Sequence, residues 1–262
     1  MIHFNKPSFS LKFKDLQKIK KFSSNGFFTK KCQKWLNKEL KCKEAILTHS
    51  CTAALEMCAL LINIKEGDEI IMPSYTFVST ANAFVLRGGK PVFVDIDIDT
   101  CNIDPSKIKQ AISKKTKAIV VVHYAGVSCN MDPIIKIAKQ HKLYVIEDAA
   151  QAILSTYKGK PLGSIGDLAT LSFHETKNIH CGEGGALLIN NPKFIKRARV
   201  LRDKGTNRDL FNQNMVNKYT WVDYGSSYGL SEINAAFLYS QLIQAKKITK
   251  RRITIFRMFH YF

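Results

Sequence analysis

The feature that most limits the fold is a repeating alternation of short apolar runs with longer amphipathic stretches. "EAILTHS", "DEIIMPS", "KPVFVDID", "KAIVVVHYAG", "LYVIEDAAQ", "DLATLSFHE" and "GGALLINN" are each short, largely apolar runs bounded by turn formers, the mark of buried strands. Between them lie helical patterns: "CTAALEMCALLIN", "TFVSTANAFVLRGG" stopped by glycines, "DPSKIKQAISKK", "MDPIIKIAKQHK" and "PKFIKRARVLRDKG". Asp104 and Pro105 stand as N-cap and first residue of the third helix. "CQKWLNKEL" predicts an amphipathic helix from about 30 to 40, and the "MDPII" segment a capped one. A βαβα rhythm with near-continuous apolar strands predicts an α/β layer fold around a mostly parallel sheet. In such sheets ligands gather at the carboxyl ends of the strands, so polar residues there are the ones to examine.

Other classes are weakly supported. No apolar run reaches the ~18 residues of a membrane span, and the opening has no secretory h-region, which predicts a cytoplasmic protein without membrane attachment. Seven scattered cysteines, none in C-x-x-C spacing, read as reduced thiols and not as disulfides or a metal site. The formal charge is +19, and twelve lysines against two acids crowd residues 1–43. Lysine outweighs the arginine favoured in base readout, and no nucleic-acid-binding motif accompanies it. The charge therefore reads as a solvated surface, without a nucleic-acid partner, that would still favour an anionic small substrate.

Three strand-end features remain. In "LTHSCTAALEM" a helix starting near Cys51, Thr52 and Ala53 offers free N–H groups to a phosphate, or is an ordinary N-cap. Asp148 ends a buried strand, where a carboxylate is costly without a partner. It is either a helix cap or the partner of a ring nitrogen, with Gln151 one turn further on the same side. Lys177, between "LATLSF" and "ALLI", is either a surface lysine or a Schiff-base nucleophile. From the residues alone, both readings of each stand.

The set "SFHETKN…GEGG", "EDAAQ", "PSYTFVSTANAFVLRGGKPVFVDI", "VVHYAGV…MD", "YKGKPLGSIGD" and "KGTNR…KYTW" resembles the DegT/DnrJ-type sugar aminotransferases, from about residue 2 to 252. The similarity is strongest to the branch that makes dTDP-4-amino-4,6-dideoxygalactose for enterobacterial common antigen. The resemblance implies the large domain of a fold-type I transferase, three-layered around its sheet, dependent on pyridoxal 5′-phosphate with pyridoxamine 5′-phosphate as the intermediate form. It implies that Lys177 holds the cofactor covalently and shuttles a proton, that Asp148 pairs with the pyridinium nitrogen, and that Gln151 meets the 3-hydroxyl side. Thr52 and Ala53 would receive the phosphate on their amides, with Ser172 adding a hydroxyl, and Phe77 would cover the ring. L-Glutamate would be the donor and dTDP-4-keto-6-deoxy-D-glucose the acceptor, in a homodimer in which the loop at Ser227 reaches the partner's phosphate. His174 and Glu175 receive no chemistry. The tight "GEGG" would permit close packing beside the lysine's turn.

Two departures from the pattern accompany these expectations. Residues 1–240 would form the cofactor-binding large domain, with an N-terminal arm over 1–43, and 241–262 the start of a truncated C-terminal small domain. The loop before residue 27 is shorter than in relatives. The alternative expectation is therefore a weakly active or inactive protein that still binds the cofactor.

Overall fold

The computed structural model describes residues 26–260, so most of the lysine-rich opening and the shortened loop, through residue 25, lie outside the described residues. Seven strands form one sheet: β1 (Glu44–Thr48), β2 (Glu69–Pro73), β3 (Lys90–Val94), β4 (Thr116–Val122), β5 (Tyr144–Asp148), β8 (Leu168–Ser172) and β9 (Gly185–Ile189). A small hairpin of β6 (Thr156–Tyr157) and β7 (Lys160–Pro161), not anticipated from sequence, stands apart. The sheet order is β1-β9-β8-β5-β4-β2-β3. Pairings from β3 through β8 are parallel, while β9 runs antiparallel to both β8 and β1.

Helices cover both faces: α1 (Phe27–Leu40), α2 (Cys51–Leu61), α3 (Val78–Val85), α4 (Pro105–Ile108), α5 (Met131–His141), α6 (Ile195–Arg202), α7 (Arg208–Asn212), α8 (Glu232–Leu242) and α9 (Ala245–His260). Strand residues alternate between the layers. Ile46, Ile70, Met72, Val120, Ile146 and Leu187 join α2, α3 and α6 on one side. On the other, Leu47, Leu171 and Leu188 pack with α1 and α8, and Ile71, Val121 and Val145 with α5. A strand apolar at every position must be covered on both faces, which gives the three-layer arrangement.

Local signals explain some helix starts. Asp104 accepts from the N–H of Ser106 at 2.8 Å as the N-cap of α4, and Ser50 accepts from Ala53 at 3.0 Å at the start of α2. The α5 start differs from expectation: Asn130 makes no side-chain cap there, and Asp132 in the first turn faces the helix dipole instead. The first helix begins at Phe27, earlier than its pattern suggests, because Glu232 of α8 accepts from the N–H groups of Phe28 (2.9 Å) and Thr29 (3.1 Å). No helix among the described residues is long and apolar enough to cross a membrane.

Candidate active site

The carboxyl ends of β2, β4, β5 and β8 and the start of α2 surround a cavity of about 540 Å³, within the ~300–1,000 Å³ range of small-molecule sites. Lys177, Asp148, Gln151, Ser172, Thr52 and Phe77 all line it. Six residues scattered over 126 positions of chain thus converge on one space.

Asp148 ends β5 and is buried. Its Oδ2 accepts from Thr80 Oγ1 at 2.7 Å and its Oδ1 from the Ala150 N–H at 3.1 Å. Burial pushes its pKa up, opposed by those two hydrogen bonds and by the nearby charge of Lys177. A cation in the cavity would relieve that penalty. Gln151 accepts from the Ala125 N–H at 2.7 Å through its side-chain oxygen, which leaves its NH₂ group to donate elsewhere.

Lys177 sits in the connection between β8 and β9, whose base is closed by the pairing of Ser172 with Gly185 and by the Phe173 N–H donating to Gly184 O at 2.8 Å. The Lys177 N–H donates to His174 O at 2.9 Å, and the His174 ring accepts from the Thr176 N–H while its other nitrogen stands 3.3 Å from Glu183.

At the start of α2, geometry separates the two residues grouped from sequence. The first amides of a helix have no intrahelical acceptor. Ala53 donates to Ser50 Oγ, is fully buried and does not line the cavity, whereas Cys51 and Thr52 do line it. Cys51 sits in the first position because Gly185 of β9 lies directly behind it. A Cβ on Gly185 would stand 2.4 Å from Ser50 C and 2.5 Å from Cys51 N. Gly182, at φ 81°, and Gly184, where a Cβ would stand 2.5 Å from Cys181 Sγ, keep the lysine's turn tight as expected, and Gly185 in addition lets the helix start press against the sheet.

Phe77 is not a core helix residue. It precedes α3 as its N-cap and is 73% exposed at the cavity edge. Ser227 lies outside the cavity, exposed, in a bridge with Asp203.

Sequence reasoning did not assign roles to three further lining residues, Tyr75, Tyr124 and His123. His123 is fully buried: its Nδ1 accepts from the Cys129 N–H at 3.2 Å, so Nε2 carries the proton and donates to Glu147 at 3.0 Å. Glu147 also accepts from the N–H groups of Gly163, Ile165 and Gly166 at 2.6–2.8 Å. The "VVHYAG" block carried His123 in plain view, but burial against Glu147 is a tertiary fact with no local signature.

A planar heteroaromatic ring bearing a phosphate and a carbonyl fits these residues. The cavity offers an amine, a buried carboxylate that forms no ion pair among the described residues, helix-start amides brought in by a glycine at their back, and an aromatic side chain at its edge.

Comparison with known proteins agrees. The chain is 43% identical to MJ1066 of Methanocaldococcus jannaschii over 222 residues, covering 83% of this chain and 57% of that protein. It is 40% identical to the spore coat polysaccharide biosynthesis protein SpsC of Bacillus subtilis, covering 80% and 55%. The chain thus spans a little over half the length of these curated relatives. Spr1654 from Streptococcus pneumoniae in its PLP-form superposes with a TM-score of 0.84 at 26% identity, over 95% of this chain and 68% of that one, and its PMP-form fits at 0.85. A profile of the DegT/DnrJ/EryC1/StrS aminotransferase family matches residues 6–261, and with the cavity just described this chain belongs to that family.

Proposed function

We propose that this chain contains the cofactor site of a cytoplasmic aminotransferase that moves an amino group onto C4 of a nucleotide-linked keto-sugar. The proposed donor is L-glutamate, the acceptor dTDP-4-keto-6-deoxy-D-glucose, and the product dTDP-4-amino-4,6-dideoxygalactose for a cell-surface polysaccharide. The observation that carries this reading is the convergence of Lys177, Asp148 and the α2 start on one cavity.

Pyridoxal 5′-phosphate, when bound, supplies a carbonyl that condenses with amines and a protonated ring that delocalises the electrons left by proton removal. Lys177 would bond to that carbonyl and, once displaced by the donor's amine, move a proton between the substrate carbon and the cofactor. Asp148 would keep the ring nitrogen protonated, an arrangement for which its buried, under-compensated carboxylate is suited. The free NH₂ of Gln151 would meet the ring's 3-hydroxyl side. The amides of Cys51 and Thr52, with the Ser172 hydroxyl, would receive the phosphate. Phe77 would cover one ring face and exclude water. Exposed Ser227 would serve a neighbouring protomer's phosphate in a homodimer, with residues 1–240 as the cofactor-binding unit.

The test is direct. Protein mixed with pyridoxal phosphate should develop a long-wavelength absorbance band, and borohydride should fix the cofactor on the peptide containing Lys177. Glutamate should bleach the band and the keto-sugar nucleotide restore it. Folded protein that borohydride leaves unlabelled at Lys177 would overturn the reading.

A further inference from the structure

Two aromatic residues at the cavity edge have no part in the chemistry described. Tyr75 follows β2 and Tyr124 follows β4, and because these strands are neighbours in the sheet the two rings meet. Their centroids are 4.7 Å apart with planes inclined at 51°, and their hydroxyls are 3.0 Å apart in a hydrogen bond. Both line the cavity, and Tyr75 is 45% exposed.

The pair is rigidly built. The Tyr124 N–H donates at 2.9 Å to Asn102, which is buried and whose NH₂ donates to Val127 O at 3.1 Å. Ala125, next in the chain, is held at φ 50° and ψ 20°, a left-handed conformation unusual for a residue with a side chain. Its N–H is anchored by Gln151. Non-glycine residues held in this region concentrate at ligand sites, where surrounding contacts over-determine them. The same Gln151 that faces the cofactor position therefore also fixes the turn that presents Tyr124.

The chemistry of the pair selects among ligands. One hydroxyl donates to the other, so one O–H is left to donate outward and oxygen lone pairs remain to accept. The bond from Tyr124 holds the Tyr75 phenol above its ordinary value. Inclined rings joined by their hydroxyls present an apolar flank with a polar rim. A nucleobase would call for a flat, parallel face. An amino-acid donor brings two carboxylates, and among the described lining residues Lys177 is the sole lysine and there is no arginine. A pyranose, with its C–H face and its ring of hydroxyls, matches the pair.

We propose that Tyr75 and Tyr124 seat the pyranose ring of the acceptor sugar and so help determine which sugar is aminated. This rests on the aminotransferase reading above and names the part of its site that reads the carbohydrate.

The experiment uses cofactor-free protein with dTDP-D-glucose and dTDP as probes, followed by calorimetry and saturation-transfer NMR, with far-UV circular dichroism to verify folding. Wild type should bind dTDP-D-glucose more tightly than dTDP, with saturation reaching the pyranose protons. Tyr75→Leu and Tyr124→Leu should each weaken dTDP-D-glucose binding at least fivefold and leave dTDP within twofold. Tyr124→Phe, which keeps the ring, should retain the greater part of the affinity. Equal weakening for both probes, or none for either, overturns the proposal. So does a wild type that binds the two probes equally. In that event, borohydride fixation of the cofactor on Lys177 shows that the aminotransferase reading survives, and its failure takes both down.

Discussion

Replacing Gly185 by alanine tests how the proposed phosphate end of the cavity is built. The added Cβ would lie 2.4 Å from Ser50 C and 2.5 Å from both Cys51 N and Ser50 O. Ordinary carbon contacts are about 3.5–4.0 Å, so one backbone must retreat by about 1 Å. Gly185 is held between Thr48 and Ser172 by ladders on both sides, so the α2 start is the element that gives way. Overpacking of this kind costs about 1–3 kcal/mol of stability. Displaced amides at Cys51 and Thr52 would weaken charge-assisted hydrogen bonds worth about 1.5–3 kcal/mol each, which is about a 10- to 100-fold loss in pyridoxal phosphate affinity. Urea unfolding of the cofactor-free protein gives the first quantity, and titration of the absorbance band the second. Gly229→Ala is the control, because a Cβ there meets nothing within 4 Å. A Gly185→Ala protein that keeps both its stability and its cofactor affinity would refute the account of the helix start.

Asp148→Asn separates folding from cofactor binding. A carboxyl whose pKa is raised by burial binds protons more tightly folded than unfolded, so cofactor-free stability falls as pH rises above the unfolded value of about 4. The variant should flatten that slope in urea melts across pH 4–8 and still lose cofactor affinity by tenfold or more. His123→Ala leaves Glu147 one donor short in a fully buried network and should lower stability by about 1–3 kcal/mol in the same melts. The thiols of Cys32, Cys129 and Cys181, pushed up to about 12 by burial, should react with a disulfide reagent at pH 8 only after unfolding, read by thiol-release absorbance. His174→Ala removes the ring that accepts from Thr176 beside Lys177, and should slow formation of the absorbance band severalfold in stopped-flow mixing with little change in urea midpoint.

Legibility in the sequence followed the range of the interactions. Strands and helices reporting through nearest neighbours were readable, down to Asp104 as the cap of α4. Lys177 and Asp148 stood out as polar residues at strand ends, and a recognisable set of motifs joined them before any coordinates did. What escaped depends on partners far along the chain. The α1 start rests on Glu232, some 200 positions away. The direction of β9 is fixed by pairing, and its apolar run reads the same in either direction. Ala53 and Thr52 are equivalent on paper, and only the hydroxyl of Ser50 tells them apart. Phe77 sits inside a helical pattern, yet the helix begins one residue later and leaves its ring outside.

The reversed course of β9 has a consequence for how Lys177 is carried. Because β8 leaves the sheet and β9 re-enters it on the same rim, residues 173–184 form a noose whose two ends are knotted side by side. A crossover connection would have carried the chain away to the opposite rim and allowed extra length to drift outward. In a noose, an inserted or deleted residue is taken up within residues 173–184 themselves, so under the proposed function the loop's length would set how far the Lys177 amine reaches into the cavity.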